Sequence, residues 1–189
     1  MEFQDVIRKR RSVRHYVDRD VPDEMVFKLL DAARWAPTGG NLQPWEFILV
    51  RNRANRERLV DATFLGYMTK TGKPQKWIIE APVIIAVCAN AKAVIARYGY
   101  GELGQSNVLM DVAAAIENLL LAAVDLGLGA CWISGFDHEK ATEALKIPQN
   151  VKVVAFIPVG YTDRIQSPPP KLDPEEFTYY EAYGNYKED

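Results

Sequence analysis

The chain has few of the residues from which most reaction centres are built. Its 189 residues include two cysteines, Cys88 and Cys131, and two histidines, His15 and His138. Each cysteine lies inside an apolar run, and neither belongs to a CxxC or other metal spacing. That pattern excludes a disulfide framework and predicts buried thiols in a reducing compartment. Two histidines are too few for a His-rich metal centre. There is no GxSxG elbow, HExxH helix or Walker P-loop, so no motif for a serine nucleophile, a zinc hydrolase or a P-loop NTPase is present. The longest apolar stretch is interrupted by polar residues, which argues against a membrane span. Glu2, Gln4 and Asp5 break the start of the chain before any signal core could form. A cytoplasmic protein is expected.

What is present is a concentration of positive charge. Arg8, Lys9, Arg10, Arg11 and Arg14 fall within seven residues, with Ser12 among them, in a chain of net charge -2. Such a cluster can be a solvated helix end, a nucleic-acid arm or a phosphate site. The slightly acidic balance of the whole chain weakens the second reading. Arginine forks and a short hydroxyl suit the third.

Apolar spacing at Phe3, Val6 and Ile7 predicts a first helix over 2–9 that delivers the arginines. Pro22, Asp23 and Glu24 form a helix start, and Met25, Val26, Leu29, Leu30 and Ala33 give that helix one apolar face. Pro37 stops it. Two glycines then lie between Pro37 and Pro44, a loop that could simply connect elements or let backbone approach a ligand. Strands are predicted at 45–50, 82–89, 129–135 and 151–161, and helices at 55–62, 108–128 and 138–146, the last capped by Asp137. Residues 66–76 read as a mobile connection.

On the 108–128 helix, Asp111, Asn118 and Asp125 recur every seven residues and fall on one stripe. The rest of its circumference is apolar and alanine-rich, so partners are expected on more than one side, a second subunit among them. After the last strand, Ser167 to Lys171 must be extended by its three prolines. The aromatic tail is expected to lie on a surface, its own or a partner's. No repeat or linker divides the chain, so one domain is expected over 1–189.

In order, RRSVR (10–14), AARWAPTGGNLQPW (32–45), APVIIAVCA (81–89), NLLLAAVDLGLGACWISGF (118–136) and VAFIPVGY (154–161) resemble the nitroreductase family of FMN-dependent oxidoreductases. The resemblance covers nearly the whole chain. It implies an α+β fold: a central mixed, mostly antiparallel sheet flanked by helices, with a C-terminal extension reaching a partner subunit. It implies a homodimer with shared active sites, FMN as cofactor, NAD(P)H as co-substrate and a small-molecule electron acceptor, with no metal, nucleic acid or membrane.

Matching positions then acquire roles. Arg10, Arg11 and Ser12 would hold the FMN phosphate. Arg14 would lie beside the N1–C2 carbonyl edge of the flavin and tune it. Pro37, Thr38, Gly39 and Asn41, with Gln43, would contact the flavin from the other subunit. Ile133, Ser134 and Gly135 would pass over the ring, the Ser134 N–H meeting flavin N5. Lys171, and less closely Lys76, match basic residues near the phosphate. Hydride would pass from NAD(P)H to flavin N5 and electrons on to a nitroaromatic, quinone or similar acceptor in a ping-pong cycle. No side-chain nucleophile and no separate Rossmann site for the nicotinamide are needed. Residues 66–76 are candidates for the acceptor pocket, and Trp132 is a candidate either for that pocket or for the core. The alternative of another class is a flavin-binding carrier or sensor without turnover.

Overall fold

A computed structural model describes residues 1–64, 73–98 and 102–186. The elements in chain order are α1 (Phe3–Lys9), α2 (Asp23–Arg34), β1 (Trp45–Val50), α3 (Arg53–Ala62), β2 (Val83–Asn90), α4 (Lys92–Tyr98), α5 (Glu102–Asp125), β3 (Gly129–Ala130), α6 (His138–Leu145) and β4 (Val151–Gly160). The strands form one antiparallel sheet of order β1-β2-β4-β3. A single parallel bridge, Ser12 to Ala130, is the mixed component.

β2 is the middle of the molecule, and its alternation separates two cores. Val83, Ile85, Val87 and Ala89 face α2 and α5, together with Ala155, Ile157 and Val159 of β4. Ile84, Ala86 and Cys88 face α3 and α6, together with Val153 and Phe156. Because both faces are covered, the strand reads as one unbroken apolar run rather than an alternating one.

The strand expected over 129–135 keeps only two ladder residues, and the cause lies in β4. Phe156 exchanges both backbone hydrogen bonds with Ile133, at 3.0 and 2.9 Å. Two residues on, Pro158 faces the same side and has no N–H to donate. The neighbouring strand therefore breaks between Ala130 and Ile133. The orphaned Pro158 carbonyl lies 3.1 Å from the buried Tyr16 hydroxyl.

α5 starts earlier than its apolar pattern and ends at Asp125. Val112, Ala115, Ile116, Leu119 and Ala123 are fully buried along it. Among the described residues, Ser106–Asp125 is the one stretch whose length and apolar content would suffice to cross a bilayer, yet α5 packs against α2 and the sheet. The polar stripe is a seam. Asp111 accepts from the Gly39 N–H at 3.3 Å, Asn118 donates to the Ala32 carbonyl at 3.2 Å, and Asp125 pairs with the Met1 ammonium at 3.0 Å. α6 begins as expected, Asp137 accepting from the N–H groups of Glu139 and Lys140, and closes on Lys146 in the left-handed conformation.

Beyond β4 the chain is extended and exposed until a short 3-10 turn at Pro174–Phe177, closed by reciprocal Asp173 and Glu176 side-chain bonds. Tyr179 then packs against Tyr183 and Tyr186, at 4.7 and 5.0 Å between ring centres. The tail is thus folded on itself, with Tyr183 90% exposed.

Two outcomes follow. Gly40 has φ +60°, and a Cβ there would sit 2.5 Å from Nη1 of Arg97. Gly40→Ala is expected to destabilise by about 1–3 kcal/mol in urea unfolding. Burial, with the Glu46 carboxylate adding, pushes the Cys88 thiol up from 9.0 to about 11. A group raised on folding contributes stability that is present below pH 9 and lost as pH rises through about 11. Denaturation midpoints measured across that range should fall for the native protein, and fall less for Cys88→Ala.

Candidate functional site

α1 delivers its basic end to one place. Arg8 and Lys9 occupy its last turn, where the exposed carbonyls favour cations, and Arg10 caps it with an N–H bond to the Val6 carbonyl. The chain then runs extended along the sheet edge. The Val13 N–H donates to the Ala130 carbonyl at 3.0 Å, and the Val17 N–H to the Tyr161 carbonyl at 2.9 Å.

Between this segment and the proline-rich strap lies a cavity of about 670 Å³. Arg8, Arg10, Arg11, Ser12 and Arg14 line one side, and Gln166, Ser167, Pro168, Pro169 and Lys171 the other. Among the described residues, no carboxylate lines it. Arg11 pins the two sides together: its Nε donates to the Gln166 carbonyl at 3.2 Å, and its Nη1 donates to the carbonyls of Arg8 and Arg10. Arg10 Nε lies 3.5 Å from Glu117 on α5. Arg14 holds one long contact, Nη1 to the Ser12 carbonyl at 3.4 Å. Cys131 adjoins this group. Burial raises its thiol, while Arg14, the Ser12 hydroxyl and Arg10 pull it the other way.

The arrangement is a cradle for a phosphate monoester. Several guanidinium groups, an ammonium and a hydroxyl line a space large enough for it, and an acid, Glu117, meets Arg10 at 3.5 Å from outside that lining. FMN fits that donor set. A larger cavity, about 890 Å³, lies elsewhere, but its four arginines (Arg19, Arg51, Arg53, Arg56) face Asp18, Asp20, Asp23 and Glu80. Balanced charge gives it no preference for an anion.

The other expected residues fall into two groups. Ile133 is buried with both backbone groups on Phe156, and the Gly135 carbonyl accepts from the Phe64 N–H. Ser134 between them is exposed, and its N–H has no partner among the described residues. Trp132 is 36% exposed beside it.

The turn of Pro37, Thr38, Gly39, Asn41 and Gln43 is not part of the arginine cavity within the chain. It is anchored to Asp111 through the Gly39 N–H, while Arg10 meets Glu117 on the same helix. Six helical residues separate the two contacts, about 9 Å along the axis and on different faces. Thr38 Oγ1 accepts from the Gln43 N–H, and the Gln43 amide turns in to Asn41. Asn41 and Gln43 both have positive φ. Lys76 opens a 3-10 turn over Lys76–Glu80, outside the arginine cavity. Of the expected acceptor stretch, 65–72 lies outside the described residues.

Three features escaped the sequence reading. The strap partners Gln166 and Ser167 carry no motif. The tyrosine and glutamate beside the loop, Tyr16 and Glu80, are 64 residues apart. A G-x-G-x-x-G spacing does occur at 99–104 (GYGELG), but it follows helix α4 rather than a strand, so it lacks the Rossmann context.

Comparison with known proteins gives the family and the fold. An Archaeoglobus fulgidus protein with the provisional name NADH dehydrogenase/NAD(P)H nitroreductase is 36% identical over 188 residues, covering 97% of this chain and 92% of that one. A 5,6-dimethylbenzimidazole synthase of Rhodospirillum rubrum is 32% identical, covering 87% and 83%. The crystal structure of an FMN-dependent nitroreductase from Clostridium difficile R20291 superposes with a TM-score of 0.76 at 26% identity, covering 94% of this chain and 98% of that one. The sequence model of the nitroreductase family matches residues 7–161, and the chain belongs to that family of oxidoreductases.

Proposed function

We propose that this protein is a cytoplasmic, FMN-dependent oxidoreductase that works as a homodimer, taking reducing equivalents from NAD(P)H and passing them to a small oxidised acceptor such as a nitroaromatic or quinone. The arginine cavity is the observation that carries this reading. Bound there, FMN would supply a two-electron centre that accepts a hydride at N5. Arg10, Ser12 and Lys171 would bind its phosphate, while Arg11 holds the strap in place through the Gln166 carbonyl. Arg14, with a single long internal contact, has donors to spare for the pyrimidine edge, where negative charge gathers on reduction. Ser134 offers an unpartnered N–H two residues past the exposed Trp132.

The shared site rests on what one chain leaves uncovered. The 37–43 turn presents exposed backbone away from its own arginine cavity. Phe3, Trp35, Leu109 and Met110 are 66%, 74%, 43% and 60% exposed, an apolar set around α5 and its neighbours. A second copy packed on that set would bring its turn to the first chain's cavity, and the folded aromatic tail would reach across.

Arg10→Ala is expected to weaken FMN binding by about 1.5–3 kcal/mol, the scale of a charge-assisted hydrogen bond, read as flavin retention through gel filtration. Gly39→Trp should block the partner's site instead. In a mixed dimer of the two variants, one site carries both lesions and the other neither. Co-expression should therefore restore NAD(P)H oxidation that neither variant shows alone. No rescue would mean that clamp and turn serve the same chain's cofactor. A wild-type protein that takes up no FMN would refute the whole reading.

A further inference from the structure

Arg14 sits in a segment whose neighbours are anchored on both sides while its own guanidinium is nearly untethered. Before it, the Val13 carbonyl lies 2.9 Å from the Tyr16 hydroxyl. After it, one carboxylate oxygen of Glu80 accepts the Tyr16 N–H at 3.1 Å and lies 2.9 Å from the His15 Nδ1. Tyr16 is 3% exposed, and its ring already packs against Trp77. A phenylalanine would fill that space without the cost of burying a hydroxyl. Burial pushes the Tyr16 phenol well above its ordinary value, so it remains a hydrogen-bond donor. Its single proton serves two carbonyls, those of Val13 and Pro158, and the second is the acceptor left over where the β3–β4 ladder breaks.

We propose that Tyr16 and Glu80 are positioning residues for Arg14. The hydroxyl fixes the peptide before Arg14 and the carboxylate fixes the backbone and ring after it, so the guanidinium is delivered to one place at the cofactor's charged edge. The inference rests on the FMN reading above. Neither residue touches the cofactor cavity itself; both act through the backbone that carries Arg14. The effect is therefore expected on the state in which charge gathers beside Arg14, and much less on overall binding.

The test compares Tyr16→Phe, Glu80→Ala and Glu80→Gln as flavin-loaded proteins, measuring FMN affinity by fluorescence titration, midpoint potential by dye equilibration, and melting temperature. Tyr16→Phe should bind oxidised FMN nearly as wild type does while losing about tenfold in relative affinity for the reduced form. For a two-electron couple, that lowers the midpoint potential by about 30 mV. Glu80→Ala should shift it in the same direction. Glu80→Gln keeps an oxygen for the Tyr16 N–H and should return the potential to the wild-type value. A purely structural role would lower the melting temperature of Tyr16→Phe and Glu80→Ala and leave both potentials unmoved, and that result overturns the proposal. Should Tyr16→Phe fail to fold, the Glu80 pair still decides, since that side chain is 39% exposed and outside the core. Wild-type protein that binds FMN beside variants of unchanged potential refutes this inference alone. Wild-type protein that binds no FMN refutes both.

Discussion

Like charges facing one cavity are the constraint around which this protein is arranged. Two unit charges about 4 Å apart repel by about 1 kcal/mol in water and about 4 kcal/mol near a protein surface. Arg8, Arg10, Arg11, Arg14 and Lys171 are gathered without a carboxylate lining the space between them. Main-chain carbonyls partly offset the repulsion: those of Arg8, Arg10 and Gln166 for Arg11, and that of Ser12 for Arg14. The C-terminal end of α1 adds its own negative pole. Glu117 approaches Arg10 only at 3.5 Å, from a side chain that is itself about half exposed. The compensation uses fixed dipoles more than countercharges, which leaves net positive charge for a ligand. Binding an anion there would relieve the repulsion and stabilise the fold through mass action.

Much of this was legible in the residues, and the exceptions share a cause. β2, β4, α2 and α6 follow from apolar periodicity and capping residues, which are local signals. The arginine cluster was legible as charge density, because five cations in seven residues stand out in a chain of net charge -2. The length of β3 was not, since it depends on a proline 28 residues later in the partner strand, at Pro158 opposite the break after Ala130. The polar stripe on α5 was visible by its spacing of seven, but its meaning as a seam was not. Its partners, Gly39, Ala32 and Met1, come from three separate places in the chain. The G-x-G-x-x-G at 99–104 illustrates the converse: a recognisable spacing whose position after a helix removes its usual meaning.

Lys171 shows how the site is assembled across these distances. Three consecutive prolines before it remove backbone donors and hold the chain extended, so the strap cannot join the sheet or coil into a helix. It can only cross the surface, and Arg11 ties it down by taking the Gln166 carbonyl. The cation that arrives on the far wall of the cavity is therefore placed by a stiff segment and one clasp, not by a packed element. The near wall is built differently. Ser12 and Val13 are joined to Ala130 in the sheet, and Tyr16 is buried to its hydroxyl.

This asymmetry divides the labour of the site. The backbone of the near wall is tied to the buried strand β4 through Tyr16, so on the proposed reading the peptide that carries Arg14 starts from a fixed place. The strap is stiff in itself but exposed and clasped to the near wall through Arg11, so it can yield as a unit where that clasp lets go. On the proposed reading a cofactor enters between the two walls, and entry is easier when one wall is held by few bonds. The phosphate tolerates that looseness because it is a spherical charge, satisfied by any nearby cation. The charged edge of a flavin is not so tolerant, since its reactivity depends on where the neighbouring positive charge is fixed. On the proposed reading, the chain puts its stiff wall against the reactive edge and its yielding wall against the anchor.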